Sequence, residues 1–280
     1  VTTTHATDTR LAGVFATARA EGRAALIGYL PAGFPSVPGA IDAIEAMVAA
    51  GVDIVEVGLP YTDPLMDGPV IQAAVEAALG RGVRTADVLT TVGAAAKTGA
   101  AALVMTYWNP IERYGPERFA AALADVGAAG AITPDLIPDE AAAWLAATAQ
   151  HGLDPVFLVA PSSTDARIAS TAAVTRGFIY AASTMGVTGT RTAVDTTART
   201  LVARVRAHTD LPIAVGLGVS DGAQAAEVAG FADGVIVGSA LVRCVLEARD
   251  PAAGVAAVGA LAAELAAGVR AGVRAGQRDL

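Results

Sequence analysis

The sequence predicts a closed (β/α)8 barrel, one α/β domain over residues 1–280 with loose ends at 1–9 and about 270–280. Three observations carry that expectation. Eight short apolar runs of β type recur along the chain, Ala-rich helical stretches lie between them, and the length of 280 residues is near the roughly 250 at which such a barrel closes. Apolar residues make up 54% of the chain, enough for a sizeable core, and no segment is both highly charged and poor in apolar residues.

The runs are Ala24–Leu30, Asp53–Gly58, Ala102–Tyr107, Gly130–Thr133, Pro155–Ala160, Gly177–Ala182, Leu211–Val215 and Gly234–Val237. They are nearly all apolar, as parallel strands covered on both faces must be. Helical stretches such as Pro38–Ala50, Ala86–Thr98, Glu117–Ala124, Asp139–Gln150 and Thr196–His208 supply the crossovers. The second interval is longer and holds an additional stretch near Val70–Leu79, so an extra helix is expected after strand two. An open doubly wound sheet is the alternative, but eight units suit a closed ring better and no G-x-G-x-x-G follows the first strand.

Charge and residue usage exclude several chemistries. The net charge of −8, with no Lys/Arg cluster, argues against nucleic acid or an anionic membrane surface as partner. The polar start does not resemble a signal peptide, and the Ala-rich tail is interrupted by Glu264 and Arg270, so no membrane span is expected. The lone Cys244 has no intrachain disulfide partner, which fits a reducing cytoplasm. The single lysine, Lys97, precedes strand three, away from the strand tips where barrel chemistry gathers, so a Schiff base lacks its amine. His5 lies in the polar N-terminus, and His151 and His208 precede strands, leaving no soft metal ligands and no imidazole base at the tips. No metal and no cofactor are expected in this chain, and acid–base work falls to carboxylates.

Strand two reads Ile54-Val55-Glu56-Val57-Gly58, and its period of two sets Ile54, Glu56 and Gly58 on one face. Burial inside an apolar strand raises a carboxyl pKa toward a range useful for proton transfer; a structural hydrogen-bond acceptor is the other possibility for Glu56. Beyond it, Pro60, Pro64 and Pro69 bracket Asp63 and Asp67 in a shaped loop over the strand end. One of these aspartates could accept a substrate N–H, and the other fix the loop or face a partner.

Strands seven and eight exit into Gly216-Leu217-Gly218-Val219-Ser220 and Gly238-Ser239, glycines followed by a hydroxyl at an expected helix N-terminus. Bare N–H groups and a positive helix end there suit a phosphate. The Ser183–Thr190 run after strand six, rich in Gly and Thr, is suited to a lid. A phosphate site at the loops after strands six to eight is therefore expected.

The run from Glu56 to Pro69, Glu56-Val57-Gly58-Leu59-Pro60-Tyr61-Thr62-Asp63-Pro64-Leu65-Met66-Asp67-Gly68-Pro69, resembles the signature of tryptophan synthase α subunits. Supporting matches are Gly28–Pro35, Tyr107–Pro110, Pro134–Leu136, Gly186–Gly189, Gly216–Val219 and Gly238-Ser239, in order from about Arg10 to about Ala267. The resemblance implies a TIM barrel that cleaves indole-3-glycerol phosphate to indole and glyceraldehyde 3-phosphate. It further implies that Glu56 is the principal acid–base group and that Asp67 holds the indole N–H. Tyr29 would wall the indole, Tyr180 would support the site, and Gly189, Gly218, Gly238 and Ser239 would line the phosphate. Asp63 and Asn109 would face a β subunit, and Asp135 would reach across to the lid around Thr188. Indole would pass to that β subunit, which carries pyridoxal phosphate and condenses it with L-serine in an α2β2 assembly. Two positions depart from the pattern: Thr184 stands where many relatives have arginine, and Met66 where the residue is usually smaller. A stand-alone lyase releasing free indole, a different phosphate-barrel isomerase or epimerase, and a silent barrel that only activates a partner are the competing expectations.

Overall fold

The computed structural model describes residues 9–183, 191–216 and 218–272, the side chains of 191–195 excepted. In chain order the elements are α1 (Arg10–Ala20), β1 (Ala25–Pro31), α2 (Val37–Ala49), β2 (Ile54–Gly58), α3 (Pro69–Gly80), α4 (Thr85–Lys97), β3 (Ala101–Met105), α5 (Trp108–Tyr114), α6 (Pro116–Asp125) and β4 (Gly130–Ile132). A 3-10 turn (Pro138–Glu140) leads into α7 (Ala142–Gln150), β5 (Asp154–Val156), β6 (Leu158–Val159), α8 (Asp165–Val174), β7 (Ile179–Ala182), α9 (Arg191–Arg206), β8 (Ile213–Gly216), α10 (Gly222–Ala229), β9 (Gly234–Val237), α11 (Ser239–Leu246) and α12 (Pro251–Ala271).

All strand pairs are parallel, in the order β5-β4-β3-β2-β1-β9-β8-β7-β6. The two ends of that order, β5 and β6, are halves of the fifth expected run, parted only by Phe157. Val156 O accepts from Thr133 N on one side (3.2 Å), and Phe157 O accepts from Tyr180 N on the other (3.2 Å). The fifth strand therefore turns from one neighbour to the other within two residues and the sheet closes into the barrel. The seventh strand starts at Ile213 rather than Leu211, because Pro212 has no N–H to give the ladder. As expected, two helices separate β2 from β3. The second, α4, packs on both strands as the crossover, and α3 leans on α11.

Two apolar layers follow from the period of two. Val55, Val57, Ala102 and Val104 point outward beneath the helices, while Ile27, Ile54, Leu103, Ile132, Val156 and Phe178 fill the barrel axis. The sequence reading places no helix before the first strand, yet α1 is there, and it closes the N-terminal end of the barrel. Thr9 caps it by accepting from Ala12 N at 3.2 Å, and Leu11, Phe15 and Ala18 face the axis. Phe15 meets Phe178 with ring centroids 5.5 Å apart, a burial that stabilises by about 2 kcal/mol. Its 3.6-residue spacing is present in the sequence but diluted by Ala and Gly.

The Ala-rich tail forms α12. Its 21 residues are long and apolar enough, by length and composition alone, to cross a membrane, because Glu264 and Arg270 do not break a whole window. In the fold, α12 packs against α2, α10 and α11, and Glu264 accepts from Gly222 N at 2.9 Å. Lys97 ends α4, His151 follows α7 and His208 follows α9, each before a strand and so on the rim opposite the strand tips. His151 binds Glu117 there at 2.8 Å. His5 lies outside the described residues.

Candidate active site

A cleft opens at the C-terminal ends of the strands. Glu56, Asp67, Tyr29, Tyr180, Gly218, Gly238 and Ser239 all line it, so seven of the residues singled out from the sequence meet in one place. Gly189 and Thr188 lie outside the described residues, as does Thr184.

Strand register sets the floor. Glu56 stands opposite Tyr29 on β1 and Leu103 on β3, on the inward face that period two assigns it. The residue is 0% exposed and neither carboxylate oxygen has a hydrogen-bond partner. Burial alone pushes its pKa up to about 8, so the carboxyl keeps its proton near neutrality. The Tyr29 and Tyr180 hydroxyls are driven well above their ordinary range, first by burial and then by nearby negative charge, Glu56 included. Each tyrosine ring lies over a glycine of the neighbouring strand. A Cβ on Gly58 would stand 2.2 Å from the Tyr29 hydroxyl, and one on Gly216 would stand 2.7 Å from that of Tyr180. Only glycine leaves room for these rings.

The loop after β2 brings Asp67 over the mouth. Gly68 is the N-cap of α3, with Pro69 in its first turn, which fixes where the loop ends. Gln72 Nε2 donates to Asp67 O at 2.7 Å, and the Tyr107 hydroxyl donates to Asp67 Oδ1 at 3.0 Å while accepting from Met66 N at 3.0 Å. Partial burial raises the Asp67 pKa and the hydrogen bond from Tyr107 opposes the rise. Tyr107 is itself pushed up to about 12, chiefly by burial. The two carboxyls thus sit in different environments, one dry and bare, the other half-buried and hydrogen-bonded, which is how acid and base roles are separated.

Asp63 and Asp135 are on the neighbouring loops and Asn109 is in the first turn of α5, all three outside the cleft lining. Asp63 is exposed and accepts from the Thr62 hydroxyl. Asn109 Nδ2 donates to the Tyr61 hydroxyl at 2.8 Å, tying the loops after β2 and β3 together. Asp135 Oδ1 accepts from Trp108 N at 2.8 Å, while the lid segment it was expected to reach is outside the described residues.

Gly216, Gly218, Gly238, Ser239 and Ser183 also line the cleft. Gly218 has φ +73°, open to glycine at little cost. The expectation of two equivalent hydroxyl-led helix ends is corrected. At α10 the cap is Asp221, whose carboxylate accepts from Gln224 N at 2.8 Å, and Ser220 is held by Gln224 Oε1. At α11 the N-cap is Gly238 with no side-chain cap, so this helix start keeps its positive end uncompensated. Among the described residues no Lys or Arg lines the cleft. An anion there would be held by N–H groups, hydroxyls and that helix end. Among the described residues no group of three or more His, Cys, Asp or Glu side chains could hold a metal ion.

Sequence reasoning singled out neither Tyr107 as the support of Asp67 nor the apolar walls Ile71, Met105, Leu158 and Ile236. The inward positions of strands three, five and eight carried the signal for the last three.

Residues 15–270 match the family model described as tryptophan synthase alpha chain. The chain belongs to the tryptophan synthase alpha chain family. It is 63% identical over 241 residues to the tryptophan synthase alpha chain of Nocardia farcinica, covering 86% of this chain and 91% of that one. It is 62% identical over 249 residues to that of Streptomyces coelicolor, covering 89% and 92%. The ligand-free form of M. tuberculosis tryptophan synthase superposes with a TM-score of 0.87 at 54% identity, covering 94% of this chain and all of that one. The tryptophan synthase subunit alpha of Legionella pneumophila superposes at 0.85 with 32% identity, covering 94% and 98%. The chain is accordingly a lyase of tryptophan biosynthesis that acts on indole-3-glycerol phosphate, and its indole goes to a β subunit. A cleft lined by aromatic and aliphatic side chains together with glycines and serines suits an indole joined to a glyceryl phosphate.

Proposed function

We propose that Glu56 carries the proton transfer of this cleavage and that Asp67 binds the indole N–H. The observation that carries the assignment is the Glu56 carboxyl, fully buried on the cleft floor without a hydrogen-bond partner. A protonated Glu56 gives its proton to indole C3, and Asp67 stabilises the positive charge that develops on the indole ring. The C3–C3' bond then breaks, its electrons return to the indole, and the C3' hydroxyl becomes the aldehyde as its proton passes to the Glu56 carboxylate. The acid is regenerated and atoms balance. Tyr29 walls the indole and Tyr180 supports the floor, while Gly189, Gly218, Gly238 and Ser239 receive the phosphate.

Asp63 and Asn109 face the β subunit beside the exposed Leu65, and Asp135 and Thr188 belong to the lid. Pyridoxal phosphate resides in the β subunit of an α2β2 assembly in the cytoplasm; this chain supplies indole and needs no cofactor of its own.

The test is indole release from indole-3-glycerol phosphate by the chain and by Glu56→Gln, each alone and with added β subunit. Turnover should collapse in the variant while glycerol 3-phosphate still binds. Undiminished turnover would refute the assignment. A rate that rises with the β subunit supports the paired enzyme, and one indifferent to it supports a stand-alone lyase.

A further inference from the structure

Among the described residues that line the cleft, two hold buried polar side-chain atoms without a hydrogen-bond partner: Glu56 at both carboxylate oxygens and Ser183 at Oγ. Glu56 has its use in the proton transfer above. Ser183 has none there. It is 6% exposed, directly beyond the end of β7, and its backbone N–H donates to Gly216 O at 3.0 Å. That bond holds the residue level with the end of β8, the strand that leads into Gly218.

A buried hydroxyl left unpaired destabilises the protein that carries it, and an alanine would fill nearly the same space without the cost. We infer that Ser183 is a substrate-binding residue whose hydroxyl donates a hydrogen bond to an oxygen of the glyceryl phosphate portion of the substrate. The inference rests on the proposed phosphate cradle, since Ser183 is hydrogen-bonded to Gly216 and lines the same cleft as Gly218.

The chemistry asks for one donor of this kind. Among the described residues no Lys or Arg lines the cleft, so the donors there are uncharged, and a serine hydroxyl can also rotate to follow an acceptor oxygen.

The experiment is calorimetric titration of the full-length chain and of Ser183→Ala with glycerol 3-phosphate, inorganic phosphate and indole, with the ligand-free Tm of each protein. Affinity for glycerol 3-phosphate should fall about three- to tenfold, the range of a single hydrogen bond, with indole affinity unchanged. The ligand-free Tm should stay level or rise, because the orphaned hydroxyl is gone. A matching loss for inorganic phosphate would place the contact on the phosphate, and its absence would place it on the glyceryl part. Ser183→Cys, which keeps the volume with a weak donor, should bind like the alanine variant. Unchanged glycerol 3-phosphate affinity in Ser183→Ala, or an equal loss of indole affinity, would overturn the inference. A falling ligand-free Tm would do so too, since it marks a structural role. If the unaltered chain fails to bind glycerol 3-phosphate, the cradle falls and the inference with it, an outcome read from the first titration alone.

Discussion

Tyr107 and Asp67 are 40 residues apart in sequence and joined by a 3.0 Å hydrogen bond at the cleft mouth, with the same hydroxyl receiving Met66 N. One phenol thereby fixes both the carboxylate and the backbone beside it. Tyr107→Phe keeps the ring but releases both. We expect a several-fold rise in KM for indole-3-glycerol phosphate and a stability loss of about 1 kcal/mol. The acid limb of the pH profile should also move upward, since the bond that holds the Asp67 pKa down is lost. Steady-state kinetics across pH would check this, and an unmoved limb would count against it.

Glu56 makes stability depend on pH. Its folded pKa of about 8 against an ordinary 4.5 means that the folded chain keeps a proton which the unfolded chain releases. Stability should therefore fall as pH rises through that window, by about 1.4 kcal/mol per pH unit from this group. Glu56→Gln has no such slope, so it should gain on the parent from pH 5 to 8 in urea denaturation. Parallel curves would contradict a buried, bare carboxyl. Turnover of the parent should decline above about pH 8, where the acid form is lost.

Gly58→Ala would force the Tyr29 ring aside, because the new methyl would stand 2.2 Å from its hydroxyl. Since β2 and β1 are held by their ladder, the tyrosine is the part that moves, and it moves within the cleft. Activity should fall at least tenfold with the fold retained by circular dichroism. Gly216→Ala should do the same through Tyr180. Full activity in both would show that the rings do not shape the site.

Gly218→Val puts a β-branched residue at φ +73°, at a cost of about 1–2 kcal/mol, and sets a side chain where backbone is proposed to approach phosphate. Glycerol 3-phosphate should bind at least tenfold more weakly by calorimetry, and unaltered affinity would rule that cradle out.

The opposite rim offers a control. Arg23 donates to both oxygens of Asp53 at 2.7 and 2.9 Å, and Asp53 also receives Leu26 N. Arg23→Ala leaves a part-buried carboxylate short of its partner and should lower stability by about 2–3 kcal/mol with kcat unchanged at a temperature where the variant is folded. A fall in kcat there would mean that the two rims are coupled.

What the sequence made legible was what depends on neighbours along the chain. The alternation in Ile54 to Gly58 assigned Glu56 its inward face, and the interval from Gly58 to Ala101 announced two helices. Prolines framed the loop that carries Asp67. The helix start at Ser239 was legible, but the one after strand seven was misread, because Asp221 rather than Ser220 takes the cap once Gln224 folds back on both. Tyr107 was passed over for a different reason: its partner is fixed by the register of β2 and β3, which no local pattern records. Phe157 looks like any apolar strand residue, and only ring closure shows that the strand changes neighbours there.

The plug formed by α1 has a consequence for traffic. With Phe15 and Phe178 packed across the bottom of the barrel and Ile27, Ile54 and Leu103 stacked beneath Glu56, the described residues leave no axial passage. Among the described residues the barrel is filled at that end and opens at the strand tips. Substrate entry and the departure of both products are ordered in time at a single rim, and any protein docked over that rim, where Leu65 and Met66 stand exposed, controls the order of service.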